Sequence, residues 1–237
     1  MTNAPKPGPQ SDVRADVKAS FYESFAKEWD SQMNMPELQK RLRLVFGGLL
    51  DESEVRGKHV LDAGAGTGWF SRGLTAWGGR VTSLDIGPEL MDQVRRKCDS
   101  RLVVGSVLEL PFPDASFDVV LCTEVIEHTT DPRRAVAELC RVLRPGSVLV
   151  LTVPNRAWHW TVIAANFLRV RPYRGYENWV GYAELATWAR EQGLVLRGQA
   201  GFNLLPHTFF CRPPFDRLDT IAALHPYMIN IALKASK

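Results

Sequence analysis

Three observations predict an α/β chain wound on both faces of a largely parallel sheet. Short apolar runs alternate with segments of helical period from His59 to about Pro154. One junction in that alternation, Val60-Leu61-Asp62-Ala63-Gly64-Ala65-Gly66-Thr67-Gly68-Trp69-Phe70, places an acid and three alternating glycines between a strand-like run and a helix. After Pro154 the alternation gives way to an aromatic-rich stretch, and two late apolar runs close the chain. Repeated βαβ units imply parallel strands, right-handed crossovers and ligands beyond the C-terminal strand ends.

The elements follow in order. Residues 1–14 carry Pro5, Pro7 and Pro9 among small and polar residues, the composition of a disordered tail. The remainder, 15–237, is expected to be one domain. Val17, Phe21, Phe25 and Trp29 recur every four residues, and a second helix is expected from Pro36 through Leu38, Leu42, Val45 and Leu49. Together these make a helical cap over 15–50. Strands are expected at 59–63, 80–85, 101–105, 117–123 and 147–153, with helices near 68–77, 87–97 and 131–143. Residues 155–181 read as an insertion after the fifth strand: Trp158, Trp160, Phe167, Tyr173, Tyr176 and Trp179 stand there among four arginines. A helix over 182–192 should end at Gly193. A strand over 194–200, a short helix near 215–224 and a final strand over 228–233 complete the chain, the last two strands forming a late antiparallel pair.

Bulk composition narrows the function classes. The 237 residues, 45% of them hydrophobic, suffice for one sizeable core. A net charge of +3, from 29 basic and 26 acidic residues dispersed along the chain, argues against a nucleic-acid partner. The four cysteines show no C-x-x-C spacing and suit a reducing compartment. With no apolar signal region and no run near the roughly 20 residues of a membrane span, a soluble cytoplasmic protein without an integral membrane segment is expected.

Glycines let the backbone turn at φ > 0 and approach a ligand, and the following helix aims N–H groups at it. A dinucleotide site needs G-x-G-x-x-G; here the third glycine, Gly68, comes one place early and Trp69 stands where the small residue belongs. Asp62 instead suits a cationic amino group, and Asp85, closing the next strand, suits the two hydroxyls of a ribose. An amino acid joined to a nucleoside satisfies both.

At these residues the chain resembles the class I S-adenosylmethionine-dependent methyltransferases. The matching stretches are VLDAGAGTG at 60–68, Asp85, LPFPDASFDVV at 110–120 and ELCRVLRPGSVLVLTVPN at 138–155, in the family's order over roughly 55–155. The resemblance implies a Rossmann-like seven-stranded sheet with one antiparallel strand, and S-adenosyl-L-methionine as cofactor. It implies that Gly64, Gly66 and Gly68 pass the methionine part, Asp62 lies near its amino group, Asp85 holds the ribose, and Ser106 and Val107 flank adenine. Thr123 joins the cofactor-binding set. Where members of the family often carry Asp, this chain has Ser106.

Methyl transfer from a sulfonium is an in-line displacement, and a base is needed only where the acceptor must lose a proton. After the fourth strand stands Glu124-Val125-Ile126-Glu127-His128. In a helical turn, residues at i, i+3 and i+4 share a face, so both carboxylates and the imidazole would meet there. Glu124, Glu127 and His128 are therefore candidate ligands of a divalent ion such as Mg²⁺. Alternatively His128 is the base and Glu127 orients it, or the pair is structural. The group is similar to the E-x-x-E-H of the ubiquinone-biosynthesis O-methyltransferases, which that subfamily associates with a divalent cation. Residues 21–30 resemble their entry helix, and Arg41 an arginine near their cofactor. His159 and His207 fall in segments expected to face the acceptor, His59 opens a strand at the inactive edge, and His225 has no assigned role. The aromatic segment 155–181 reads as a lid over a flat acceptor, and equally as a packed helix, a homodimer contact or a bilayer-facing surface.

The expected activity is methyl transfer to a small-molecule acceptor in a biosynthetic pathway, with an aromatic or sugar hydroxyl as the leading acceptor. An amine is the alternative. A catalytically silent sensor of S-adenosylmethionine is the rival from another class, and a nicotinamide-dependent dehydrogenase a remote third.

Overall fold

A computed structural model describes residues 34–167, 177–204 and 215–237. The expected tail, the stripe from Val17 to Trp29, His207 and the centre of the aromatic insertion lie outside these residues. The sequence signals for helix ends act as their chemistry dictates. Asn34 accepts from the Glu37 N–H at 3.3 Å and, with Pro36, starts α1 (Met35–Leu44), which widens into a π turn over Val45–Leu49. A capping box at Asp51 opens the short α2 (Glu52–Val55), where no helix was expected.

From His59 the alternation is observed as β1 (His59–Ala63), α3 (Trp69–Ala76), β2 (Arg80–Asp85), α4 (Pro88–Lys97), β3 (Arg101–Val104) and β4 (Phe117–Thr123). It continues through α5 (Pro132–Arg141), capped by Asp131 on Arg134 N at 3.0 Å, and β5 (Leu143–Pro154). α6 (His159–Phe167), α7 (Tyr182–Glu191), β6 (Val195–Phe202) and β7 (Asn230–Ser236) follow. The seven strands are ordered β3-β2-β1-β4-β5-β7-β6, and β7 alone runs antiparallel, inserted between β5 and β6. The order reverses between β1 and β4, so the switch point where such sheets take ligands lies at the ends of those two strands.

The alternating side chains of the strands feed a core on each face. Leu61, Val120, Cys122, Leu149 and Leu233 pack with α5 and α7; Val60, Val119, Leu121 and Val150 pack with Leu38, Val45, Phe70 and Leu74 from the α1 to α3 side. Each fully buried leucine contributes about 1.5–3 kcal/mol relative to exposure, which fixes both layers and hence the strand ends. Among the described residues no helix is long and apolar enough to cross a membrane.

Three expectations change. β5 starts at Leu143 rather than 147, because a register shift between Phe117 and Val119 takes up the Pro145-Gly146 step that reads as a turn. β7 runs over 230–236 rather than 228–233: Ile229 N–H turns to Asn203 O at 2.9 Å, while the polar Lys234 and Ser236 continue the ladder against Val150 and Val148. The helix expected near 215–224 is two 3₁₀ stretches, Phe215–Thr220 and Ala222–Tyr227, the second holding Pro226, which cannot donate to a helical ladder.

Candidate active site

The glycine turn is strapped to β2 by its backbone. Gly64 and Ala65 N–H both donate to Leu84 O, at 2.7 and 2.9 Å, and Gly66 N–H donates to Asp85 Oδ2 at 2.8 Å. Asp85 Oδ1 also accepts from Ile86 N–H at 2.7 Å and Gly87 N–H at 3.4 Å. Burial raises the Asp85 carboxyl from its ordinary value, and the three backbone donors oppose the shift. Two glycines have no substitute. Gly64 sits at φ 80°, and a Cβ there would fall 2.2 Å from Val125 Cγ2; Gly68 sits at φ 88°, with a Cβ 3.0 Å from the Val94 Cα of α4. Gly68 thus meets a helix-packing demand that sequence spacing assigned to the next position. At Gly66 nothing lies within 4 Å of a Cβ, so this glycine faces open space.

Asp62 stands behind the turn, 1% exposed, with Ser71 Oγ donating to its Oδ2 at 2.6 Å and its Oδ1 buried without a hydrogen-bond partner among the described residues. Burial pushes its carboxyl up to about 7, with the Asp85 charge adding to the shift and the Ser71 bond opposing it. Ser106 and Val107 follow β3, whose Val104 pairs with Asp85. Ser106 Oγ accepts from Leu108 N–H at 3.1 Å, and Val107 is buried in the core. Thr123 ends β4 opposite Thr152. The structure therefore brings Asp62, Gly64, Gly66 and Asp85 together, with Gly68 turned toward α4.

Past β4 the arrangement differs from the expected helical turn. Only Ile126–His128 forms a 3₁₀ turn, and Glu124 precedes it at φ 55°, a region that non-glycine residues rarely occupy. Its Oε2 accepts from Asn230 Nδ2 at 3.0 Å, and the carboxylate is buried, with Thr152 as a neighbour. Burial raises the Glu124 carboxyl, opposed by Arg41 and reinforced by Glu37. Glu127, 2% exposed, is raised well above the carboxylate range by burial and then by the neighbouring Glu124 charge. Glu127 Oε1 lies 3.8 Å from His128 Nε2.

The expectation of a metal held by Glu124, Glu127 and His128 gains no support from the described residues. Glu124 has a left-handed backbone and one carboxylate oxygen bonded by Asn230, so the three residues do not share a regular helical turn. Among the described residues no three His, Cys, Asp or Glu side chains form a metal-holding group, and the Mg²⁺ assignment has no support in this geometry.

Several residues here escaped sequence reasoning. Asn230 Oδ1 accepts from Asn203 Nδ2 at 3.1 Å, Asn203 N–H donates to Asp219 Oδ1 at 3.2 Å, and Asp219 pairs with Lys40 Nζ at 2.6 Å. Lone amides in apolar strands, Asn203 just after Phe202 and Asn230 within MINIAL, were the available signal. The other histidines are placed elsewhere. His159 packs on Trp179, ring centroids 5.5 Å apart, in an outer cleft of 380 Å³ that no glycine-turn residue lines. His225 Nε2 lies 2.8 Å from Asp219 O, and His59 N–H donates to Asp118.

A glycine turn feeding a helix, a strand-end carboxylate bonded to that turn and a second acid behind it lie together at the switch point, an arrangement whose chemistry suits a nucleoside bearing an amino acid. Comparison with known proteins specifies the class. Residues 61–151 match the methyltransferase domain model. A ubiquinone biosynthesis O-methyltransferase from Xanthomonas axonopodis pv. citri is 34% identical over 165 residues, covering 65% of this chain and 69% of that protein. One from Coxiella burnetii (strain Dugway 5J108-111) is 27% identical over 199 residues, covering 78% and 84%. Among solved structures, an S-adenosylmethionine-dependent methyltransferase from Thermotoga maritima superposes with a TM-score of 0.68 at 18% identity over 92% of this chain and 99% of that one. The Burkholderia thailandensis 1,6-didemethyltoxoflavin-N1-methyltransferase, bound to S-adenosylhomocysteine, gives 0.60 at 20% identity over 99% and 93%. The chain belongs to the class I S-adenosylmethionine-dependent methyltransferases.

Proposed function

We propose that the chain methylates a hydroxyl of a small aromatic acceptor. The carrying observation is the Glu127 and His128 pair. Its turn packs on Gly64 through Val125, so the pair borders the place where the cofactor's methyl would be presented. The residues present fit the cofactor. The unpartnered Asp62 Oδ1 suits its ammonium, open space beside Gly66 admits its methionine part, and Asp85 suits the ribose. Ser106, Val107 and Thr123 lie at the neighbouring strand ends for the adenine side. Bound S-adenosylmethionine supplies a methyl already activated for displacement, leaving alignment, water exclusion and proton removal to the protein.

A neutral amine presents a lone pair without losing a proton first, whereas a hydroxyl gains most from a base. His128, whose side chain is 27% exposed, would take the hydroxyl proton, with Glu127 Oε1, 3.8 Å from its Nε2, helping to orient the imidazole. The ubiquinone-biosynthesis O-methyltransferases among the relatives support the same direction. Trp158 and Trp160, stacked with centroids 6.1 Å apart at the start of α6, would cover a flat acceptor.

The test is transfer of a radiolabelled methyl to panels of phenols, catechols and amines. Transfer to a phenol or catechol is expected, with His128→Ala lowering kcat by about 100-fold or more while S-adenosylhomocysteine affinity stays within about twofold. Transfer to amines alone would overturn the reading, and a function untouched by His128→Ala would favour a sensor.

A further inference from the structure

Asp62 is not an isolated buried acid. Its Oδ2 accepts from Ser71 Oγ at 2.6 Å, Ser71 Oγ lies 2.7 Å from Ser83 Oγ, and Ser83 Oγ lies 2.8 Å from Ser100 Oγ. Ser71 and Ser83 are fully buried. Ser100 is part-exposed and lines an outer cleft with Arg95, Cys98 and Asp99. The hydroxyls therefore form an unbroken file, from the acid behind the glycine turn, across β2, to the surface between α4 and β3. In each serine pair either oxygen can donate, so the file supports two polarities. All hydroxyls point inward when Asp62 is ionised, and all point outward when it carries a proton.

We infer that Ser71, Ser83 and Ser100 form a proton exit for Asp62, which releases its proton to solvent when the ammonium of the cofactor docks on its other oxygen. The inference rests on the proposed placement of that ammonium at Asp62. Without a cation, an uncompensated buried carboxylate is costly and the acid holds a proton; a docked ammonium takes over that compensation. The Asp62 O–H bond breaks and its proton passes to Ser71 Oγ. Ser71 gives its own proton to Ser83, Ser83 gives its proton to Ser100, and Ser100 gives its proton to water. One proton leaves, every oxygen keeps its valence, and no electron moves. The ionisable groups coupled to Asp62 from neighbouring elements are Asp85 at the end of β2 and the Cys122 thiol on β4; Lys97 of α4 reaches Thr67 O in the same loop.

The sign follows from the raised carboxyl, pushed up to about 7. Below that pH the unliganded acid is protonated and binding must expel the proton; above it the proton is already gone. Affinity for S-adenosylhomocysteine should therefore fall by up to about tenfold per unit as pH drops below about 7, and level off above it.

Calorimetry of S-adenosylhomocysteine binding, in buffers of different ionisation enthalpy, counts the released protons. Close to one is expected at pH 6 and close to none at pH 8, with Asp62→Asn releasing none. Stopped-flow with a pH-indicator dye follows the rate. Ser83→Ala, which removes the middle link without touching the cofactor site, should keep the count but slow release by about tenfold relative to binding, and Ser83→Thr should restore it. Binding without proton release, release that survives Asp62→Asn, or release at the wild-type rate in Ser83→Ala would each overturn the exit. Absence of any binding would instead overturn the cofactor placement beneath it.

Discussion

The two halves of the sheet's C-terminal edge are built from different materials. On the half over β1, β2 and β3, where the cofactor is proposed to bind, the glycine turn and Asp85 are held by backbone groups. Asp85 is bonded by three main-chain N–H groups, and the glycine turn is held by Leu84 O. On the half over β4, β5, β7 and β6, the parts are side chains. Glu124 is bonded by Asn230 and Asn230 by Asn203, while Asp219 joins Asn203 to Lys40 of α1. Backbone geometry tolerates little change, because a glycine at positive φ against packed atoms admits no side chain. Side-chain networks can be re-spelled residue by residue. A common donor and changing acceptors within one fold demand this division.

The sharpest way to break the comparison is at Gly64. An added Cβ meets Val125 at 2.2 Å and the φ of 80° is unfavourable for L residues. Gly64→Ala should therefore destabilise the fold by about 3 kcal/mol, a thermal shift of about 6–12 °C. Gly66→Ala, at φ 53° with open space around its Cβ, carries the backbone term alone, about 1–2 kcal/mol. Thermal denaturation of the pair checks this, and equal losses at both positions would remove the packing part of the argument.

The same division decides what the sequence discloses. Asp62, the three glycines and Asp85 are legible because local turn chemistry ties them to their neighbours within one βαβ unit. The seven strands and the antiparallel β7 are legible from alternation together with the family resemblance. Asn203, Asn230, Lys40 and Asp219 are not. Glu124 and Asn230 are 106 residues apart in sequence, and no periodicity records which side chains converge after the sheet is assembled. The expected helical turn at Glu124 fails for a related reason. The spacing i, i+3, i+4 assumes helical backbone, whereas a tertiary partner and a hydrogen bond from Glu124 N–H to Thr152 O hold that residue at φ 55°. The Ser71, Ser83 and Ser100 file is hidden in the same way, since each serine alone is unremarkable in a strand, a helix or a loop.

Asn230→Ala tests the side-chain half. It removes the donor to Glu124 Oε2 and leaves that oxygen of a buried carboxyl without its partner. The expected loss in stability is about 2 kcal/mol, within the usual range for an orphaned buried polar group. Turnover should fall by about tenfold while S-adenosylhomocysteine affinity stays within about twofold, if the halves are as separable as their construction. A parallel loss of cofactor affinity, measured by calorimetry, would show that Glu124 supports both.

The smallest effect should come from a side chain that reinforces the glycine turn from α4. Lys97, in the last turn of α4, donates through Nζ to Thr67 O at 2.8 Å and lies 5.3 Å from the Trp69 ring centroid. It therefore clips α4 to the glycine turn. The bond is charge-assisted but only part-buried, so solvent screens it, and the ring contact adds a fraction of a kcal/mol. Lys97→Met keeps most of the apolar stem while removing the charge, which isolates the clip from the packing of Val94 on Gly68. About 1 kcal/mol of stability should be lost. S-adenosylhomocysteine affinity should weaken by about threefold, because the turn's own hydrogen bonds to Leu84 and Asp85 still define its shape. A loss as large as that of Gly64→Ala would mean that a side chain, not the backbone, holds the cofactor half in place.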